Sequence, residues 1–208
     1  WSKAAFPWLS VRECNVGFAP ATVMVVSFSG EHAYEIHVPN AHLYAAYSAL
    51  RAAGKAHGLR LFGARAIDAM RMEKGFLHWK ADILTEFDPF ETGLDRFVKM
   101  DKGDFVGRTA LQARHNQGPQ RQLVTLKIDS TKAPAHAGGS LIVDDQVVGT
   151  VTSGDWGHRV DMNLAYAFVT RPVSGVGARM MLDLCGDLVG AEVIAPSPYD
   201  PEFSRVRS

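Results

Sequence analysis

The sequence predicts an α+β unit followed by a small all-β barrel or sandwich. Helical and strand periodicities mix before residue 118, helical periodicity is lost after it, and about six short strand patterns recur at regular spacing in the second part. Asn116-Gln117-Gly118-Pro119-Gln120 is a polar breaker with Gly-Pro at its centre and reads as a linker. Domains are therefore expected at residues 1–116 and 117–208. The strands of the second should fall in 122–194, with no helix there beyond about two turns.

In the first part, residues 23–29 form a β-rich run with Met24, Val26 and Phe28 on one face. Gly30-Glu31-His32-Ala33 supplies a turn, and residues 34–38 alternate, with Tyr34, Ile36 and Val38 opposite Glu35 and His37. Pro39 stops that strand. Asn40 is a good N-cap for a helix carrying Leu43, Tyr47 and Leu50, with Gly54 as its stop. A short strand is expected at 59–62, a helix at 64–74 ending at Gly75, a strand at 94–100, and a helix at 105–114 capped by Asp104. In the second part, residues 123–129 alternate cleanly. Residues 141–143 and 147–151 flank Asp144-Asp145, and 179–184 and 189–194 flank Gly186-Asp187, which predicts two hairpins; 165–169 adds a further strand. Pro196, Pro198 and Pro201 keep the tail out of regular structure.

Composition removes several classes. Of the 208 residues, 47% are apolar and 21% charged, enough for a core and little basis for disorder. No apolar run reaches about 18 residues, so no membrane-spanning helix or membrane partner is expected. Basic and acidic residues number 22 each and balance locally (14 and 12 in 1–116, 8 and 10 in 117–208), so no basic face marks a nucleic-acid partner. Cys14 and Cys185 make neither a disulfide framework nor a structural zinc site. That usage fits a reducing compartment: cytoplasmic, or the mitochondrial matrix in a eukaryote. The chain starts at Trp1 with neither Met nor a signal-peptide pattern and reads as a piece of something longer or as a product whose front end is missing.

Generic catalytic signatures are absent. No Gly-x-Gly-x-x-Gly opens a helix, no His-x-x-x-His occurs, and neither Ser153 nor Ser174 makes a nucleophile elbow. No metal site is expected. Glu35 is the exception: a mid-strand carboxylate after a glycine turn. It is either a solvated strand residue or an acceptor for a flat donor–donor edge, such as a pterin or guanine presents. In Arg71-Met72-Glu73-Lys74-Gly75-Phe76-Leu77-His78-Trp79-Lys80-Ala81-Asp82, Phe76 and Trp79 are either stacking surfaces for a planar ligand or core residues.

Ser27-Phe28-Ser29-Gly30-Glu31-His32-Ala33-Tyr34-Glu35-Ile36-His37-Val38-Pro39 resembles the hallmark of the glycine-cleavage T-protein (aminomethyltransferase) superfamily. Arg71-x-Glu73-Lys74-Gly75-Phe76-x-x-Trp79-x-x-Asp82, Asp88-Pro89-Phe90-Glu91-Thr92-Gly93-Leu94 and Asp104-Phe105-Val106-Gly107-Arg108-x-Ala110-Leu111 follow in family order. The ending, Ser197-Pro198-Tyr199-Asp200-Pro201-Glu202, is similar to that of the branch fused to flavin amine dehydrogenases. The Glu-Lys-Gly-Phe-x-x-Trp form is closer to dimethylglycine and sarcosine dehydrogenases than to T-protein, and Lys74-Gly75-Phe76 lacks the cysteine of the iron–sulfur-linked branch.

The resemblance implies the back half of the family fold: the second part of an antiparallel-sheet folate-binding α+β domain, then a C-terminal barrel. It implies transfer of a one-carbon unit from a demethylated amine to tetrahydrofolate, giving 5,10-methylenetetrahydrofolate. Partners would be folate, a small methylated amine and an upstream half or flavoprotein domain, with FAD only if that domain exists. Glu35 falls on the glutamate that holds the pterin edge; Phe28 replaces a family tyrosine, leaving packing without the hydroxyl. The family arginine before the helix aspartate falls on Ile67, with Asp68 retained and Arg65 standing nearby. The expected folate contacts are Glu35, Phe28, Tyr34, Trp79, Asp82 and Arg65. The catalytic aspartate of the family lies upstream of this chain. Asp82 is the one local candidate to replace it, against the alternative of a surface ion pair with Lys80. The alternatives to an enzyme segment are a non-catalytic folate-binding or assembly module and a folate-dependent demethylase of another methyl donor. An apolar surface is expected to lie open on the first unit, because half of its domain is absent.

Overall fold

Gly17, at φ +61°, turns the chain between β1 (Val11–Val16) and β2 (Ala19–Met24). β2 buries Ala19, Ala21 and Val23, which with Phe6, Val16, Val25 and Ala46 form one core. β3 (Glu35–His37) pairs antiparallel with β2, setting Thr22 opposite His37 and Met24 opposite Glu35 in a sheet of order β1-β2-β3. The computed structural model describes residues 4–207, and these divide into two units: residues up to Arg71 with those from Asp200 onward, and Met72–Tyr199.

In the first unit the strand expected at 23–29 starts earlier and ends at Met24. Beyond Val25, serine hydroxyls replace ladder partners: Ser27 Oγ accepts from Gly30 N at 3.0 Å and Ser29 Oγ from Glu31 N at 3.2 Å. β1 was invisible to hydrophobic patterning because it is an edge strand that buries only Val16. Asn40 makes no side-chain cap; a 3-10 turn, Asn40–His42, leads into α1 (Leu43–Gly54). Gly54 does not stop that helix, which tightens into a second 3-10 turn, Lys55–His57, before Gly58 ends it at φ +70°. Residues 59–62 form no strand. They are a short apolar run with no neighbour to pair with. The open apolar surface is present: α1 buries Ala46 and exposes Leu43, Tyr44 (82%), Tyr47 and Leu50, with Leu61 and Phe62 exposed after it. The tail stays irregular until α5 (Ser204–Arg207), where Ser204 N and Arg205 N donate to the Asp200 carboxylate.

α2 occupies Ala64–Lys74 as expected and ends at Gly75. Gly75 lies at φ +79°, and a Cβ there would stand 2.5 Å from Pro196 O, so no other residue fits. Gly75→Ala is expected to lower stability by about 2 kcal/mol or more, read as a urea-midpoint shift.

In the second unit, the expected strand at 94–100 is replaced by a 3-10 turn, Asp95–Phe97, that follows α3 (Pro89–Thr92) and its Gly93 stop at φ +71°. Asp88 caps α3 by accepting from Phe90 N and Glu91 N, and Glu91 accepts in return from Asp88 N. α4 (Arg108–Gln117) starts three residues later than expected, because Gly107 at φ +89° is its N-cap and Asp104 accepts only from Phe105 N.

Six strands then close a barrel of order β4-β7-β6-β5-β8-β9, which resolves barrel against sandwich. They are β4 (Arg121–Ile128), β5 (Ser140–Val143), β6 (Gln146–Gly157), β7 (Met162–Thr170), β8 (Arg179–Leu184) and β9 (Asp187–Ile194), all paired antiparallel, with β4 on β9 closing the ring. Leu126, Leu141, Val151, Ala165, Val169 and Leu182 fill the interior. Both hairpin turns use left-handed residues, Asp144-Asp145 as expected and Cys185-Gly186, one position before the expected pair. Among the described residues the longest helical stretch within 122–194 is the 3-10 turn Arg171–Val173.

Candidate functional site

Alternation along β3 sets Glu35 on the open face of the sheet, opposite Ile36. Its side chain is 54% exposed, and Glu35 Oε2 lies 3.4 Å from His37 Nε2, its neighbour on the same face. The cross-strand register adds Thr22 and Glu13 beside His37. Glu13, Asn15, Thr22 and His37 line an open groove of about 440 Å³ next to Glu35. This face therefore offers a carboxylate with free approach and hydrogen-bonding neighbours.

The loop before β3 supplies the other first-unit residues. Gly30, at φ +81°, makes the turn. Tyr34 is half-buried: its ring meets Phe6 edge-on at 6.1 Å, and its hydroxyl lies 3.0 Å from His32 Nε2. His32 Nδ1 is buried and has no hydrogen-bond partner among the described residues. Phe28 is half-buried in the same loop. Arg65 is exposed on the first turn of α2, while Asp68 pairs with the buried Arg71 at 3.6 Å.

Within the second unit, Trp79 stands 59% exposed on a tight turn closed by its bridge to Ile83. Asp82 is fully buried and is neither exposed nor a surface partner of Lys80. Asp82 Oδ2 accepts from His78 N at 2.9 Å, and Oδ1 accepts from Thr152 Oγ at 2.7 Å and Ser153 Oγ at 2.6 Å. Consecutive strand residues point to opposite faces, yet both hydroxyls reach one oxygen. The register shift between Val151 and Ser153 in β6 explains it: the bulge turns neighbouring side chains to the same side. Asp82 therefore clamps the Trp79 turn to the barrel.

Sequence reasoning missed a second buried polar cluster. Glu73 is 1% exposed and pairs with the Arg159 guanidinium. That guanidinium lies 3.8 Å from the centroid of the Tyr199 ring, and Tyr199 N donates to Glu73 O at 2.9 Å. Lys74 Nζ reaches Tyr199 O at 3.5 Å, and Tyr166 donates its hydroxyl proton to Met72 O at 2.7 Å. Glu73 and Tyr199 stood in recognised motifs, but Arg159 had no sequence signal. Among the described residues no group of three or more His, Cys, Asp or Glu is placed to hold a metal, and no helix is long and apolar enough to cross a membrane.

Residues 1–102 match the family model described as the GCVT N-terminal domain, and residues 121–200 match the glycine cleavage T-protein C-terminal barrel domain. Mitochondrial dimethylglycine dehydrogenase of Mus musculus is 31% identical over 99% of this chain and 24% of its own length. Mitochondrial sarcosine dehydrogenase of Homo sapiens is 33% identical over 99% and 23%. An aminomethyltransferase of Saccharopolyspora erythraea is 34% identical over 85% and 49%. The chain thus spans about a quarter of the first two relatives and about half of the third. The crystal structure of aminomethyltransferase T from Bartonella henselae superposes with a TM-score of 0.85 at 23% identity, covering 95% of this chain and 54% of that one, and shows the same fold. With both of its family segments matched in order, the chain belongs to the glycine-cleavage T-protein (aminomethyltransferase) family.

Proposed function

We propose that this chain is the tetrahydrofolate-binding, aminomethyltransferase-like segment of an enzyme that moves a one-carbon unit from a small methylated amine, of dimethylglycine or sarcosine type, to tetrahydrofolate. The observation that carries it is Glu35: a half-exposed carboxylate at the first residue of β3, beside an open groove, at the position that resembles the family's glutamate. Its two oxygens fit the N–H and NH₂ of a pterin edge as they would fit a guanidinium. The unpartnered His32 Nδ1 in the adjoining loop also fits a polar ligand there. Tetrahydrofolate supplies the nitrogen that takes up the carbon. Glu35 orients the pterin, Phe28 and Tyr34 pack near it, and Arg65 offers charge to a folate carboxylate. Trp79 is a separate stacking face, and Asp82 acts by holding the Trp79 turn rather than by touching ligand.

In this reading the folate-binding part ends at residue 116 and the barrel part begins at 117, with family segments over 1–102 and 121–200 on either side. A flavin enters only with an upstream flavoprotein domain or subunit, which would then handle the amine. The mitochondrial relatives favour the mitochondrial matrix if the source is a eukaryote; otherwise the reading is cytoplasmic. A second reading, a folate-binding module without chemistry of its own, is favoured by Asp82, whose oxygens accept from three donors of the chain itself. Glu35→Gln tests the common core of both. It places a donor against a donor and is expected to weaken tetrahydrofolate binding by about 1.5–3 kcal/mol, measured by equilibrium titration. Unchanged affinity removes Glu35 from the site.

A further inference from the structure

The β8–β9 turn holds Cys185 at φ +57°, a left-handed position in which Gly, Asn or Asp is the usual occupant. The exposed thiol lies with Sγ 3.0 Å from His136 Nε2. His136 Nδ1 stands 3.0 Å from Ala137 O. A carbonyl only accepts, so Nδ1 carries the ring proton of the neutral imidazole, and Nε2 is left as the acceptor for the Cys185 S–H. Nucleophile, base and orienting group are thus hydrogen-bonded in series. They border an open groove of about 630 Å³ that also carries Lys132, Asp129 and Asp187, charges of both signs.

We propose that Cys185 is a modification site, S-thiolated by a peptide disulfide that carries both carboxylates and ammonium groups, such as glutathione disulfide. Lys132 faces the carboxylates of that ligand, and Asp129 and Asp187 its ammonium groups. His136 Nε2 takes the thiol proton, Cys185 Sγ attacks one sulfur of the disulfide, and the S–S bond breaks. The leaving thiolate then takes the proton back from His136. One thiol and one disulfide become one mixed disulfide and one thiol, with no further oxidant.

The test treats the whole chain with glutathione disulfide and follows Cys185 and the half-buried Cys14 separately by peptide mapping. Cys185 should react about tenfold or more faster than Cys14, and His136→Gln should slow Cys185 about tenfold while leaving Cys14 unchanged. As a second measurement, independent of any variant, the native chain should modify at Cys185 about tenfold faster than the same chain unfolded in urea. If the unfolded chain reacts as fast at Cys185, or His136→Gln leaves its rate unchanged, the thiol is merely exposed and the proposal falls.

Discussion

Glu73→Ala is expected to destabilise the Met72–Tyr199 unit by about 3–5 kcal/mol, the largest single effect foreseen here. Glu73 is buried and accepts from both the guanidinium and the backbone N–H of Arg159, so its removal takes a carboxylate acceptor from a guanidinium that is only 20% exposed and from a backbone donor. The Tyr199 ring, stacked by Arg159, should loosen with it, while the Tyr199 backbone N–H keeps Glu73 O as its acceptor. A double-mutant cycle separates the pair from its cost of burial. Glu73→Leu and Arg159→Met should each destabilise alone, whereas together they should recover much of the loss, because no charge is left without its partner and only the backbone N–H of residue 159 loses an acceptor. Urea unfolding of the four proteins measures this, and a double variant as unstable as the sum of its singles contradicts it.

Asp82→Ala should cost about 3 kcal/mol. It removes hydrogen bonds to a charged acceptor and leaves the Thr152 and Ser153 hydroxyls in a buried pocket facing a void. The local signature separates this loss from a general one. His78 N loses its acceptor, so its amide should exchange with solvent much faster in the variant while amides of β7 stay protected. Exchange at His78 no faster than in the parent would mean that Asp82 does not hold the Trp79 turn.

These two clusters mark where sequence reading stopped. The barrel was legible because its strands alternate and are separated by Asp144-Asp145 and by Gly186-Asp187, although the second turn falls one position earlier, at Cys185-Gly186; α2 was legible because its apolar spacing and Gly75 agree. β1 was not, since an edge strand with polar side chains on its open face carries little periodic signal. Residues 59–62 and 94–100 misled in the opposite direction: apolar runs read as strands, but a strand needs a neighbour; 59–62 stay irregular and a 3-10 turn takes Asp95–Phe97. Glu35 was placed on the correct face by alternation alone. Asp82 was not, because its burial depends on a bulge 70 residues away that turns Thr152 and Ser153 together. Arg159 likewise became meaningful only once the fold brought it to Glu73.

The central claim is that Glu35 reads the pterin edge, and a comparison of two ligands on two proteins tests it most directly. Equilibrium titrations would set tetrahydrofolate against an analogue lacking the 2-amino group, on the parent chain and on Glu35→Gln. A carboxylate accepting that amino group should make the parent prefer tetrahydrofolate by about 10- to 100-fold, corresponding to a charged hydrogen bond of about 1.5–3 kcal/mol. The variant should bind both ligands equally, because the group that distinguishes them is gone. A variant that keeps the parent's full preference would contradict the assignment, since the amino group would then be recognised elsewhere.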